Sequence, residues 1–563
     1  MILNALSLIN LSKKHQNNLL QSFLCNRFDD SSVDMTFYEE ICLKILSEES
    51  VNKNDIHRWK MKLCKKYHFK DIPSNSDIIA NISSSYSENK KVQLIQALQR
   101  KPMRTISGVA IVAVMTSPES CPHGKCIPCP GGPLYDSPQS YTGFEPAAMR
   151  GKMHDFNPFD QVKARLYQLK CIGHPTDKVD LIVMGGTFTA RNPWYQEWYM
   201  KRCYDAMNDS NSDSLFNAMK KNETAKHRCI GLTIETRPDW FRLQQVDQTL
   251  DFGATRVELG VQTIYDDVLH IIKRGHTVND SIDATRIAKN AGFKVCYHLM
   301  PGLPGSDEKR DKKLFETIFS HPDFKPDMIK IYPCLVIKGT PLYDIWKKKQ
   351  FSPLNSSNAT KLIADIIPLI PEWIRIQRIQ RDVPAQFIES GVKKSNLRQL
   401  VDDILDEKGI GSKELRGREI GHLSLKHQTQ IDTKNPDFKK TIYQANDGTE
   451  IFLSMVIKKY DAVIAYLRLR EIHSSHRPEL YNKRVMMIRE LKVVGKEIEI
   501  GNKSEKGIQH KGFGSRLLHE AVRISKDEFD CKDLYVLSGV GVKEYYRKYH
   551  DFKDHGIYLS KKL

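Results

Sequence analysis

The sequence predicts an α/β protein in three parts: a small, mainly helical and basic N-terminal region, a partial (β/α)6 barrel, and a smaller α+β unit. Three observations predict it. Between Gly108 and Pro333 six β-branched runs, each closed by turn or charged residues, are separated by stretches long enough for a helix. That rhythm belongs to a parallel sheet covered by helices, with right-handed crossovers. A loop after the first run, CPHGKCIPCPGG, places Cys121, Cys126 and Cys129 close together. Far along the chain, a QHKGFG turn follows an antiparallel strand and opens a helix.

Length and composition set the bounds. A chain of 563 residues has room for roughly three to four units of about 150 residues, and its 40% hydrophobic content supports buried cores. No run approaches the roughly 18 to 20 apolar residues of a membrane span. The opening MILNALSLINL is broken by Asn4, Ser7 and Asn10, with its lysines after it, so a cytoplasmic location is expected. Twelve scattered cysteines are too sparse for a disulfide framework. The net charge of +18 is uneven: Val51 to Arg104 holds twelve Lys and Arg against four Asp and Glu. Such a block can neutralise phosphates, which points to a nucleic-acid partner.

In residues 1–99, apolar residues recur at helical spacing through TFYEEICLKIL and VQLIQALQ. Between them Trp59, Tyr67 and Phe69 are interleaved with Lys60, Lys62, Lys65, Lys66 and Lys70. That mixture can grip phosphates and stack on bases, or the aromatics can be the core side of a basic helix. Residues 100–389 hold the barrel, whose first run delivers the cysteine loop. Structural zinc wants four closed ligands, commonly from two separated pairs, whereas one short loop can hold an iron-sulfur cluster; with three thiolates, a fourth iron stays open. A zinc knuckle completed by His123 or a distant cysteine is the alternative. The second run ends in Gly185 and Gly186, which let backbone approach a ligand or simply turn tightly. The third ends in Glu235, Thr236 and Arg237, the fourth carries Glu258 and Gln262, the fifth ends with His298, and the sixth gives Lys330 and Tyr332. Working residues gather at the C-terminal strand ends of such folds. RIQRIQRDVP is a basic segment whose Arg375, Arg378 and Arg381 suit phosphates or acidic partners, and residues 390–412 read as a charged connector. Residues 413–563 run through TEIFLSMVI, AVIAYLRLR and VMMIRELKVVG to the turn with Gln509, Gly512 and Gly514, then SRLLHEAVRIS, DLYVLSG and VKEYYRKY. A glycine turn at a helix N-terminus offers free N–H groups to the pyrophosphate of coenzyme A.

Cys-x4-Cys-x2-Cys followed by Pro-Gly-Gly, set between TISGVAIVAVM and QSYTGFEPAAMR, resembles the radical SAM centre of the Elongator catalytic subunit family. The short first gap is similar to that of its stand-alone prokaryotic members, and the C-terminal order resembles the GNAT acetyltransferase fold. The resemblance runs from about Lys53 to the end of the chain. It implies a 4Fe-4S cluster on Cys121, Cys126 and Cys129, with S-adenosylmethionine bound beside Gly185, Gly186, Glu235, Gln262 and His298. It implies acetyl-CoA on Lys178, with Glu490, Leu491, Lys492 and Val493 along the acyl group, and Phe513, Gly514 and Ser515 with Gln509 and Gly512 around the pyrophosphate. Tyr546 matches a tyrosine near the thioester sulfur, able to protonate a leaving thiolate because its ordinary pKa of about 10 exceeds that of a thiol; Tyr545 is the other candidate. The N-terminal lysines would bind tRNA. One departure is Pro128, where family members usually carry an aromatic residue. The implied function is formation of 5-carboxymethyluridine at the wobble uridine of tRNA, with an external electron donor. The resemblance leaves room for a homodimer and for other Elongator subunits, which a stand-alone form does not require. A protein lysine acetyltransferase with a scaffold-only radical domain, or an RNA-binding platform with a structural cluster, would leave more of the motifs without a role.

Overall fold

The computed structural model describes residues 31–48, 51–100, 105–426, 431–495 and 512–563. The described residues divide into two compact units, those within 1–102 with 167–175, and those within 103–166 with 176–563. Four helices of the first are Ser31–Ser47, Lys53–Lys66, Asn75–Ala80 and Glu88–Leu98. Lys53–Lys66 starts at Asn52, whose side chain accepts from the N–H groups of Asn54 and Asp55 while Asp55 reaches back to the Asn52 N–H, a reciprocal cap that satisfies otherwise orphaned donors. Phe37, Ile41, Ile56, Leu63, Leu94 and Leu98 form the core, and Trp59, Tyr67 and Phe69 pack against it. The aromatics therefore lie partly buried on the core side of this region. Lys60 also departs from expectation: it is buried, and its ammonium donates to Asn75 Oδ1 at 2.9 Å. Lys66 pairs with Glu40 at 2.6 Å, while Lys62, Lys65 and Lys70 are exposed.

The second unit opens with strands β1 (Ala110–Met115), β2 (Lys178–Met184), β3 (Arg228–Thr236), β4 (Arg256–Gln262), β5 (Lys294–Leu299), β6 (Met328–Ile331), β7 (Val336–Ile337), β8 (Arg375–Ile379) and β9 (Ile388–Ser390). Their main sheet runs β1-β2-β3-β4-β5-β6-β8, parallel throughout. It is the curled sheet of a partial barrel, with one strand more than the six expected. The extra strand is the RIQRIQ segment: Ile376 and Ile379 are buried, Arg375 pairs with Glu419 at 2.7 Å, and Arg378 pairs with Asp382. These two arginines face acids. Within 390–412, helix Leu397–Glu407 buries Leu397, Val401 and Leu405 in the core that the barrel strands share.

A second sheet follows, from β10 (Asp437–Ala445), β11 (Gly448–Ile457), β12 (Ala462–Ile472), β13 (Val485–Val493), β14 (Asp533–Val536), β15 (Lys553–His555) and β16 (Tyr558–Lys562), in the order β10-β11-β12-β13-β14-β16-β15. Only β13 and β14 pair in parallel, over Met486–Ile488 and Leu534–Val536. Beyond that point the pairing with β14 ends, and Glu490–Val493 of β13 are partly buried along that unpaired edge. Where β12 pairs with β13, Leu469 faces Ile488 and Arg468 faces Glu490, which makes Arg489 the extra residue of a bulge. Arg489 is fully buried and bonds Asp327 at 2.6 Å and Glu450 at 2.7 Å. Burial alone would raise the pKa of Asp327, but Arg489, Lys289 and Arg468 hold it far below the usual carboxylate range. No helix of the described residues is long and apolar enough to cross a membrane.

Candidate active site

At the C-terminal end of the main sheet lies a cavity of about 150 Å3, lined among others by Cys121, Gly186, Glu235, Gln262, His298 and Lys330. Gly185 and Gly186 have φ of +129° and +83°, a region that other residues enter only with strain. A Cβ on Gly185 would overlap the Thr116 hydroxyl, and one on Gly186 would stand 3.8 Å from Cys121 Sγ. The glycine pair thus lets the end of β2 lie against that of β1 and leaves room beside the thiols.

The cysteine loop is pinned by backbone bonds from Ile127 N–H to Ile272 O at 2.9 Å and from Leu342 N–H to Ile127 O at 3.1 Å. Cys126 is buried, with His123 Nε2 at 3.0 Å and Arg274 Nη1 at 3.7 Å from its sulfur, while the Ser140 N–H donates to Cys129 Sγ at 3.2 Å. Burial first, then repulsion from Cys126, pushes Cys129 up to about 11. Burial raises Cys121 as well. Burial and a neighbouring sulfur disfavour the thiolates of Cys121 and Cys129, and a cationic metal group beside the three sulfurs of the loop reverses that.

Across the cavity stands an ion ladder. The Lys330 ammonium lies 3.2 Å from Glu235 Oε1 and also pairs with Glu258, whose Oε2 is 2.8 Å from His298 Nε2. Glu235, Glu258 and His298 are close enough to share a cation, and Lys330 already supplies that charge. Burial alone would lower the pKa of Lys330, yet Glu258 holds it well above the usual value; burial would likewise raise that of Glu258, yet Lys330 and His298 hold it well below. The Tyr141 hydroxyl donates to Glu235 Oε2 at 2.7 Å. Sequence reasoning did not assign Tyr141 or Arg274 a role, although Tyr141 lies inside the QSYTGFEPAAMR stretch after the loop.

A second constellation forms on the C-terminal sheet. Gly512, at φ +78°, caps helix Phe513–Arg523, whose first N–H groups face outward with the positive end of the helix dipole. A Cβ on Gly514 would stand 3.0 Å from the Tyr545 hydroxyl, 3.8 Å from Val493 and 3.9 Å from Leu491, so the helix start, the unpaired edge of β13 and Tyr545 converge. Tyr546 is buried behind them with its ring 5.6 Å from Phe552, and burial raises its pKa. Glu490 accepts from Arg468 Nε at 2.8 Å, and burial lowers the pKa of Lys492. Lys178 begins β2, at the end of the sheet opposite the cavity, in register with Arg228. Gln509 lies outside the described residues.

Family models match three segments: the ELP3 N-terminal domain over residues 35–106, the Radical SAM superfamily over 118–318, and the Radical_SAM C-terminal domain over 326–407. A Methanocaldococcus jannaschii protein named tRNA uridine(34) acetyltransferase is 51% identical over 92% of this chain and 95% of its own. The chain belongs to the Elongator complex protein 3 family. Elongator complex protein 3 of Homo sapiens is 39% identical over 94% of this chain and 97% of its own. The structure of Methanocaldococcus infernus Elp3 with an N-terminal deletion matches with a TM-score of 0.73 at 47% identity, covering 82% of this chain and all of that one. As a radical SAM enzyme, this Elongator family member uses a 4Fe-4S cluster and S-adenosylmethionine, and the three thiols of the loop fit the cluster.

Proposed function

We propose that the enzyme forms 5-carboxymethyluridine at the wobble uridine of tRNA from acetyl-CoA. The observation that carries this reading is the presence, in one compact unit, of a cavity at the barrel strand ends that Cys121 of the cysteine loop lines and an anion-ready helix start beside the unpaired edge of β13. The relatives named tRNA uridine(34) acetyltransferase support the same substrate. With an external electron donor, the cluster and S-adenosylmethionine supply a 5′-deoxyadenosyl radical able to take hydrogen from the acetyl methyl group.

The residues of the chain do the rest. Cys121, Cys126 and Cys129 hold the cluster, Gly186 gives the methionine end of S-adenosylmethionine room, and the ladder of Glu235, His298 and Lys330 with Gln262 orients its polar groups. Phe513, Gly514 and Ser515 take the pyrophosphate of acetyl-CoA on their N–H groups, and Glu490, Leu491, Lys492 and Val493 line its acyl arm, with Lys178 at the barrel side. Tyr546 or Tyr545 protonates the departing thiolate, and Lys62, Lys65 and Lys70 hold tRNA phosphates. A protein lysine acetyltransferase would leave the thiols and the ion ladder without a task.

The test is anaerobic incubation with S-adenosylmethionine, dithionite, acetyl-CoA and tRNA. The intact enzyme is expected to yield 5′-deoxyadenosine and, after nuclease digestion, 5-carboxymethyluridine. Cys126→Ser is expected to abolish both while tRNA still binds, because one lost thiolate undoes the cluster but not the basic surface. A digest without the modified nucleoside would refute the reaction, and undiminished 5′-deoxyadenosine from the variant would refute the cluster ligand.

A further inference from the structure

Two arginines beside the cysteine loop carry more positive charge than the residues around them answer. Arg274 follows helix Asp266–Ile271 and is nine-tenths buried. Its Nη1 lies 3.7 Å from Cys126 Sγ, its Nη2 donates to the Gly260 carbonyl at 2.8 Å, and its Nε–H has no partner. The backbone makes room for it, because a Cβ on Gly260 of β4 would overlap Nη2. Arg237, directly after β3, is almost wholly buried. Its Nε and Nη2 donate to Asp239 at 2.9 and 2.6 Å, while Nη1 has no partner. The two guanidiniums are close enough to repel each other.

Both arginines line the cavity that Cys121 lines. Other carboxylates of that cavity are engaged elsewhere: Glu235 and Glu258 with Lys330, and Asp382 with Arg378. Two buried guanidiniums with the single carboxylate of Asp239 leave a surplus positive charge, and a buried charge without a counter-ion is costly. Buried donors without acceptors are uncommon and mark the place of a missing acceptor. A 4Fe-4S core on three thiolates supplies both: it is an anion, its sulfurs accept hydrogen bonds, and it carries one more negative charge when reduced. A fixed cation beside it favours the reduced form over the oxidised one, and does so strongly in a site sheltered from water.

We propose that Arg274, with Arg237 beside it, is the counter-charge that raises the reduction potential of the cluster. Arg274 acts through the sulfur of Cys126, as a positioning residue that does not touch the acetyl group or the uridine. The inference rests on the reading that Cys121, Cys126 and Cys129 hold the cluster, and it does not depend on which product forms at uridine.

The test is an anaerobic redox titration of the full, reconstituted enzyme, following the electron paramagnetic resonance signal of the reduced cluster with no S-adenosylmethionine present. Arg274→Met removes the charge. It is expected to lower the equilibrium constant for reduction about ten-fold, which for a one-electron couple is a shift of about 59 mV to lower potential. Arg274→Lys keeps a charge and is expected to recover most of that shift; a loss as large as that of the Met variant overturns the assignment to charge. Arg237→Gln leaves the bond to Gly260 in place and is expected to shift the potential in the same direction, so it decides the matter if Arg274→Met holds no cluster. Wild-type potentials in the charge-removing variants overturn the proposal. A shift seen only once S-adenosylmethionine is added overturns it too, since the guanidiniums would then serve that molecule. Cys126→Ser separates these failures from failure of the ligand reading: a wild-type cluster signal in that variant sinks the ligand assignment, whereas its loss alongside unchanged potentials in the arginine variants sinks the counter-charge alone.

Discussion

Tyr545 and Tyr546 are neighbours on one helix, yet the fold gives them different surroundings: the first has its hydroxyl at Gly514, the second is buried against Phe552. Burial raises both pKa values, so each ring keeps its proton wherever a thiolate would leave. Tyr546→Phe is expected to slow coenzyme A release by about 10²-fold, the lower end for a general acid, with acetyl-CoA affinity little changed. Release kinetics and equilibrium binding check this, and slowing confined to Tyr545→Phe would transfer the role to that residue. At this scale the sequence is readable where one residue type recurs at one spacing, as in Cys121, Cys126 and Cys129, which one loop gathers, or Gly185 and Gly186, whose φ values are positive. It is unreadable where the chemistry is a meeting. Tyr141 gains its meaning from Glu235, 94 residues away, and no local pattern announces that.

Helix Lys53–Lys66 shows the same limit for an element. Ile56, Lys60 and Leu63 share its buried stripe, so helical spacing, applied to the lysine as strictly as to its apolar neighbours, places Lys60 inside. Lys62 and Lys65 point outward. Reversing both to Glu is expected to weaken tRNA binding and flatten its salt dependence by about 0.7 to 0.9 in log-log slope per lost phosphate contact. Binding curves across a salt series decide it, and an unchanged slope would return this face to mere solvation. Strand β8 stayed hidden for a different reason. Its buried residues, Ile376 and Ile379, are three apart because the pairing slips between Ile329 and Lys330, which breaks the alternation that marks a strand, and its arginines drew the eye to phosphates instead.

For the molecule as a whole, the decisive feature is the buried charge network around Asp327 and Glu450. Arg489→Met leaves two buried carboxylates short of their main partner and is expected to cost about 3 to 5 kcal/mol, measured by denaturant unfolding. Lys289 behaves differently. Burial lowers its pKa to about 8 against the ordinary 10.5, even with Glu450 and Asp327 nearby. Between those values the unfolded chain keeps the proton and the folded chain does not, so this group makes stability rise with pH across that window. Lys289→Met is expected to lack the rise when melting is compared at pH 8 and pH 10; identical pH slopes in both proteins would count against it. The alternation of strand and helix and the cysteine loop made the barrel legible in the sequence. This network was not, since its members are ordinary charged residues until two sheets bring them together.

Arg468, Arg470 and Arg489 also constrain how such a gene can change. All three lie on the C-terminal sheet, and much of what they bond lies on the barrel: Asp327, Asn290 and the carbonyls of Phe293 and Trp373. Neither half carries a finished surface of its own. The C-terminal half is therefore not a module that can be grafted elsewhere or inherited alone, and a lineage that loses the task of one half must still keep its scaffold for the other.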